Sequence, residues 1–125
     1  MKIKAFLGIQ ALIFIPYGLY CLVNPEMLSG AAGLVANSQT GTIELQAMYG
    51  GLQTSVGVMC AMAAWQSRLQ FSALTALSFI FAGLAVARVT LSLLYGDFSG
   101  YTVGAMIFES VSLVLCLWLL KSANQ

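Results

Sequence analysis

The sequence predicts an all-α integral membrane protein that crosses the bilayer four times, with both termini on the cytoplasmic side. Sixty per cent of its 125 residues are hydrophobic and only 7% are charged, whereas a soluble domain usually carries about a quarter charged residues. The apolar residues fall into four stretches, each close to the roughly 20 residues that a helix needs to cross a hydrocarbon core of about 30 Å. We therefore predict that residues 1–125 form one four-helix transmembrane domain.

The four predicted helices are separated by one long outer loop and two short connections. The helices span residues 5–23, 44–65, 71–94 and 102–120, and the outer loop spans residues 24–43. The first helix follows two lysines, as a signal peptide would. It is longer than the usual apolar core of a signal peptide, and Leu22-Val23-Asn24-Pro25 provides no small-x-small cleavage site. We therefore expect a retained membrane anchor.

The outer loop contains signals for helix initiation. Asn24-Pro25-Glu26 is typical of the start of a short helix, because proline suits the first helical position. Thr42 is predicted to cap the second transmembrane helix. Glu44 would then lie in its first turn, where a carboxylate suits the helix dipole.

The orientation follows from the charges between the helices. The cationic residues outside the predicted helices all fall on one side of a four-crossing chain: Lys2, Lys4, Arg68 and Lys121. The connections on the other side carry Glu26 and Asp97 and no lysine or arginine. The positive-inside rule therefore predicts cytoplasmic N and C termini.

Small residues are predicted to let the helices approach one another, since burying apolar surface gains little free energy inside a bilayer. The candidate packing positions are Gly50, Gly51, Gly83, Gly100 and Gly104.

Arg88 and Glu109 are the charged residues deepest in the predicted helices. Arg88 lies seven residues before Tyr95 and Glu109 seven residues after Thr102, so both lie about 10 Å below the outer boundary at 1.5 Å per residue. A lone charge at the bilayer centre costs about 2.5 to 3.5 kcal/mol on insertion scales. We therefore predict an ion pair between them. It could fix helix register, bind a ligand or relay protons.

Helix two adds further polar residues to this candidate cluster. Tyr49 and Gln53 are expected to form interhelical hydrogen bonds or to contact a ligand. Glu44 is close to the outer boundary, where it is either solvated or a second carboxylate for Arg88.

Several chemistries lack their usual residues. The sequence contains no histidine, the commonest metal ligand and general base. Its cysteines, Cys21, Cys60 and Cys116, form no CxxC motif. We therefore expect no metal, no cofactor and no enzymatic activity. The net charge of +1 gives no basic patch for nucleic acid.

The stretch Glu44-Leu45-Gln46-Ala47-Met48-Tyr49-Gly50-Gly51, together with Arg88 and Glu109, resembles a bacterial family of small four-helix membrane proteins. That family is a domain of unknown function, broadly similar to DoxX-like proteins. The resemblance covers nearly the whole chain and implies a bacterial inner membrane, but it implies no activity. Gln46 departs from the family, where an arginine is expected, which removes one positive charge near the outer boundary.

These observations favour a non-enzymatic accessory or scaffold subunit in the lipid bilayer. Its expected partners are a larger membrane complex or further copies of this chain. The alternative is a protein that binds a lipid, quinone or other amphipathic small molecule in an outer-leaflet pocket around Arg88 and Glu109.

Overall fold

A computed structural model describes residues 1–124, which are almost entirely helical and contain no β-strand. The chain divides into two compact units, the first from Met1 to Leu69 and the second from Gln70 onwards. Each unit is described by itself.

The first unit begins with the long apolar helix α1, Lys2–Val23, which remains helical through the exposed Pro16. The short helix α2, Met27–Ala32, follows after a turn. It ends at Gly33, whose φ of 69° is a left-handed conformation that favours glycine. The side chain of Leu28 is fully buried, so this part of the predicted outer loop is helical and anchored by an apolar residue.

The predicted second helix, residues 44–65, is replaced by three consecutive helical segments. These are α3, Gln39–Leu45, a π-helical segment, Gln46–Leu52, and α4, Gln53–Trp65. Helix α3 begins before the predicted start because Ser38 caps it: the Ser38 side chain accepts a 3.0 Å hydrogen bond from the Gly41 backbone N–H. Thr42 therefore lies inside α3 and does not cap it, contrary to the prediction. A short 3₁₀ turn, Ser67–Leu69, ends the first unit.

Helix α1 packs against the π-helical segment and α4 through three glycines. A β-carbon on Gly18 would overlap the Thr54 side chain and approach the Thr54 backbone N to 2.5 Å. A β-carbon on Gly50 would lie 2.5 Å from Leu22 Cγ, and one on Gly57 would lie 2.8 Å from the Ile15 backbone N. Only glycine allows this close approach of the two backbones.

Gly50 was a predicted packing position, whereas Gly18 and Gly57 were not. A β-carbon at any of the other four predicted positions, Gly51, Gly83, Gly100 and Gly104, would meet no atom of its own unit within 4 Å. Close helix packing at these four glycines stays a prediction, because a small residue permits close contact without specifying which helix face receives a neighbour.

The second unit is a pair of long helices, α5, Gln70–Tyr95, and α6, Gly100–Ala123. Both extend beyond the predicted ranges of 71–94 and 102–120. Gly96, with a φ of 67°, ends α5, and the Asp97 backbone N–H donates to the Ser92 carbonyl at 3.2 Å. The two helices pack together, and Phe81 meets Phe108 edge to face with ring centroids 5.7 Å apart.

Among the described residues 1–124, three helical regions are long and apolar enough to cross a membrane: Lys2–Val23, Ser67–Tyr95 and Gly100–Ala123. The remaining predicted crossing, residues 44–65, does not form one α-helix of that length because the π-helical segment interrupts it.

Candidate functional site

Arg88 of α5 and Glu109 of α6 form an ion pair inside the second unit. The Arg88 Nη2 donates to Glu109 Oε1 at 2.8 Å, and the Arg88 Nε donates to Glu109 Oε2 at 2.9 Å and to Oε1 at 3.1 Å. One edge of the planar guanidinium thus contacts both carboxylate oxygens, an arrangement that a lysine ammonium does not reproduce.

The two partners differ in exposure. The Glu109 side chain is 6% exposed, whereas the Arg88 side chain is 28% exposed. The carboxylate is therefore enclosed, while the guanidinium reaches a surface. Glu109 belongs to a buried stripe on α6 with Ser112, Cys116 and Leu119, which keeps its carboxylate directed into the helix pair.

The connection between α5 and α6 is held by hydrogen bonds to Asp97. Its Oδ1 accepts from the Ser99 backbone N–H at 3.1 Å, and its Oδ2 accepts from the Thr102 hydroxyl at 2.8 Å. These bonds favour the ionised carboxyl and lower the pKa of Asp97, with the Thr102 hydroxyl as the largest cause. Asp97 therefore presents a negative charge at the connection between the C-terminal end of α5 and the N-terminal end of α6.

A cavity of about 320 Å³ opens beside Arg88, and we call it the α5–α6 cavity. Its lining residues all belong to the second unit: Leu84, Ala87, Arg88, Leu91, Ser92, Tyr95, Asp97 and Thr102. The leucines and the alanine form an apolar wall along α5 that includes Arg88, and the other polar groups lie toward the connection with α6. The cavity is widely open on one side, so a molecule in it would stay partly exposed, and its volume lies at the low end of the range of about 300 to 1,000 Å³ of small-molecule sites.

The other predicted site residues belong to the first unit. Glu44 is exposed on α3, Tyr49 is half-buried in the π-helical segment, and Gln53 is half-buried at the start of α4. Gln46 begins the π-helical segment, and its Nε2 donates to the Leu22 carbonyl at 2.7 Å. This bond satisfies one of the carbonyls that the C-terminal turn of α1 leaves without a helical partner.

The first unit has its own cavity, of about 770 Å³, beneath the predicted outer loop. It is lined by residues on both sides of α2, including Asn24, Glu26 and Thr42. The loop therefore covers a space rather than packing flat against α1 and α3.

Within residues 1–124, no group of three or more histidine, cysteine or acidic side chains could hold a metal ion. Cys21, Cys60 and Cys116 are buried thiols. Buried cysteine behaves as a small apolar side chain.

Sequence reasoning missed the part of the site formed by Asp97. The signal was present in Asp97-x-Ser99, because an aspartate commonly accepts a hydrogen bond from the backbone two residues later and so closes a turn. That Asp97 also lines the cavity with Arg88 depends on the turn at Gly96 and on the hydrogen bonds of the Asp97 carboxylate.

Across the part of the chain that the structure describes, the all-α fold and three helices long and apolar enough to cross a membrane define the class of small helical membrane proteins. The chain belongs to the family described as a domain of unknown function, DUF4345, whose model matches residues 3–120. Comparisons with curated proteins and with solved structures found no match.

Proposed function

We propose that this protein is a non-enzymatic membrane protein that binds an amphipathic small molecule in the α5–α6 cavity. The observation that carries the proposal is the position of Arg88, which pairs with Glu109 on one side and lines the cavity on the other. An ion pair that served only to fix helix register would not need an open cavity beside its cation.

The cavity lining suits an amphipathic ligand. Leu84, Ala87 and Leu91 lie on one face of α5 at spacings of three and four residues, so they form a continuous apolar strip. Ser92, Tyr95 and Thr102 supply hydroxyl groups toward the outer end. A ligand with an apolar tail and a polar head could therefore satisfy both ends of the cavity.

Filling the cavity tests this proposal without disturbing the ion pair. Ala87→Phe places a ring in the cavity, whereas Val86→Phe, at a neighbouring exposed position of α5 that does not line it, is the matched control. We expect purified wild-type protein and Val86→Phe to retain bound lipid or other amphiphile in native mass spectra, and Ala87→Phe to lose it. Equal retention by both variants would contradict the proposal.

A role as an accessory subunit is the second candidate, and the exposed surface of the long helices favours it. Much of the surface of α5 and α6 is uncovered apolar side chain, including Phe79, Val86 and Leu94 on α5. Such a surface suits lipid or the helices of a larger membrane complex or of further copies of this chain. Recovery of a stoichiometric partner chain from native membranes would support this role, and recovery as a lone monomer would contradict it.

We place the protein in a bacterial inner membrane, crossing it four times with both termini in the cytoplasm. The distribution of Lys2, Lys4, Arg68 and Lys121 supports this orientation. The helical path from Gln39 to Trp65, which is π-helical over Gln46–Leu52, supports a fourth crossing, because it contains more residues than the roughly 20 that a crossing needs.

A further inference from the structure

We propose that the α5–α6 cavity selects a zwitterionic lipid headgroup, with its phosphate toward Arg88 and its primary ammonium toward Asp97. This inference rests on the proposed ligand-binding function and specifies the chemistry of the ligand.

The charges around the cavity support a ligand that carries both signs. Arg88 and Asp97 both line it, and Glu109 already occupies one edge of the Arg88 guanidinium. Asp97 would repel a purely anionic headgroup, whereas a purely cationic headgroup would place no anion beside the Arg88 guanidinium. A headgroup with one charge of each sign meets an opposite charge at both ends.

The order of the two charges along the helices matches the order in a phosphoethanolamine headgroup. Arg88 lies seven residues before the end of α5, whereas Asp97 lies in the connection beyond that end. Arg88 is therefore the deeper charge by about 10 Å at the α-carbons. In phosphatidylethanolamine the phosphate joins the glycerol, and the ammonium lies two carbons farther out. The phosphate would thus lie on the Arg88 side.

The hydroxyl groups and the size of the cavity agree with this assignment. Thr102 and Ser99 hold the Asp97 carboxylate in place, so the anion is positioned before a ligand arrives. A volume of about 320 Å³ is too small for a whole phospholipid but can admit a headgroup. The acyl chains would follow the apolar strip of Leu84, Ala87 and Leu91 into the bilayer.

The test compares lipids that differ only in the headgroup cation. Purified full-length protein is titrated with short-chain phosphatidylethanolamine or phosphatidylglycerol, and bound lipid is counted by native mass spectrometry. We expect wild-type protein to bind phosphatidylethanolamine about three- to fivefold more tightly, since exposed charge pairs contribute modestly. Asp97→Asn, which keeps an oxygen for the Ser99 N–H, should abolish that preference. Glu26→Gln removes an equal charge from the predicted outer loop and should preserve it.

Any one of several results would overturn the inference. The inference is wrong if wild-type protein binds phosphatidylglycerol as tightly as phosphatidylethanolamine. It is also wrong if Asp97→Asn keeps the preference for phosphatidylethanolamine. Soluble glycerophosphoethanolamine binding as tightly as the lipid would overturn the lipid source of the headgroup. If Ala87→Phe blocks lipid binding but the wild type shows no headgroup preference, this inference is wrong and the proposed function stands. If Ala87→Phe has no effect on lipid binding, the proposed function itself is wrong.

Discussion

At the level of single residues, the pairing of Arg88 with Glu109 makes each partner dependent on the other. Arg88→Leu would leave the enclosed Glu109 carboxylate without its guanidinium. Breaking a buried pair by removing one partner typically costs about 3 to 5 kcal/mol, whereas replacing both partners by apolar residues is often close to neutral. We therefore expect Arg88→Leu to lower the free energy of unfolding by about 3 kcal/mol, and Arg88→Leu with Glu109→Leu to recover most of that loss.

Equilibrium unfolding in mixed micelles with increasing dodecyl sulfate measures both variants. The single change Arg88→Lys is a further control, because it keeps the charge but cannot reproduce the two-point contact. A double variant as unstable as the single one would mean that the pair does not hold α5 against α6.

Asp97 gives the connection between α5 and α6 a pH dependence. Its hydrogen bonds with Thr102 and Ser99 lower its pKa below the ordinary value of 3.8. A lowered pKa in the folded state means that the ionised group stabilises the fold above about pH 4, and that this stabilisation is lost as the pH falls through the lowered pKa.

The melting temperature of Asp97→Asn relative to wild type should therefore depend on pH. We expect wild-type protein in detergent to melt higher than Asp97→Asn at pH 6, and the difference to shrink as the pH approaches 3. Glu26→Gln serves as the control for removing a loop carboxylate. A difference between wild type and Asp97→Asn that stays constant from pH 6 to pH 3 would exclude this role of the Asp97 carboxylate.

At the level of elements, the contact of α1 with α4 depends on glycines that have no room for a β-carbon. We expect Gly18→Ala and Gly57→Ala each to lower the free energy of unfolding by about 1 to 3 kcal/mol, because the added methyl meets backbone atoms that cannot move aside. Gly8→Ala in α1 is the matched control, since its β-carbon would meet nothing within 4 Å. It should be neutral or stabilising by up to about 1 kcal/mol.

The same unfolding measurement in mixed micelles separates the three variants. A loss of stability in Gly8→Ala equal to that in Gly57→Ala would contradict the role of close packing, because the added methyl group at Gly8 meets no atom.

The elements also show what the sequence can and cannot predict. Long apolar runs predict α1, α5 and α6 because hydrophobicity alone determines which segments can lie in lipid. The π-helical segment has no comparable signal. It contacts α1 through the hydrogen bond from Gln46 to the Leu22 carbonyl and through the packing of Gly50 on Leu22. Its formation therefore depends on α1 as well as on local residue types.

The candidate site was likewise predicted in one part and missed in another. Residue spacing predicts that Arg88 and Glu109 lie at equal depth on neighbouring helices, and the ion pair was predicted on that basis. The contribution of Asp97 was missed because it depends on the turn at Gly96 and on the hydrogen bonds that direct a loop side chain toward the cavity. π-helical segments are frequent at functional sites, which gives Tyr49 a structural setting that the residue pattern alone did not indicate.

At the level of the whole molecule, the number of crossings decides where the α5–α6 cavity opens. Three helices satisfy the length and hydropathy of a crossing. If residues 39–65 also cross, the connection at Asp97 lies outside with the loop 24–38, and Lys121 lies inside. If they do not cross, Asp97 lies inside and Lys121 outside, which places positive charge on the side that the positive-inside rule disfavours.

Single cysteines in a chain whose three native cysteines are replaced by alanine distinguish these arrangements. With four crossings, a membrane-impermeant maleimide should label Asn37→Cys on intact spheroplasts, whereas Ser67→Cys and Ser122→Cys should react only after permeabilisation. With three crossings, all three positions would lie on the same side and would label together. The α3–α4 path carries only Glu44 as a charged residue, so its insertion costs little, and we expect the four-crossing pattern. Labelling of Ser67→Cys from outside would show that α5 and α6 have the opposite orientation and that the cavity lies at the cytoplasmic face.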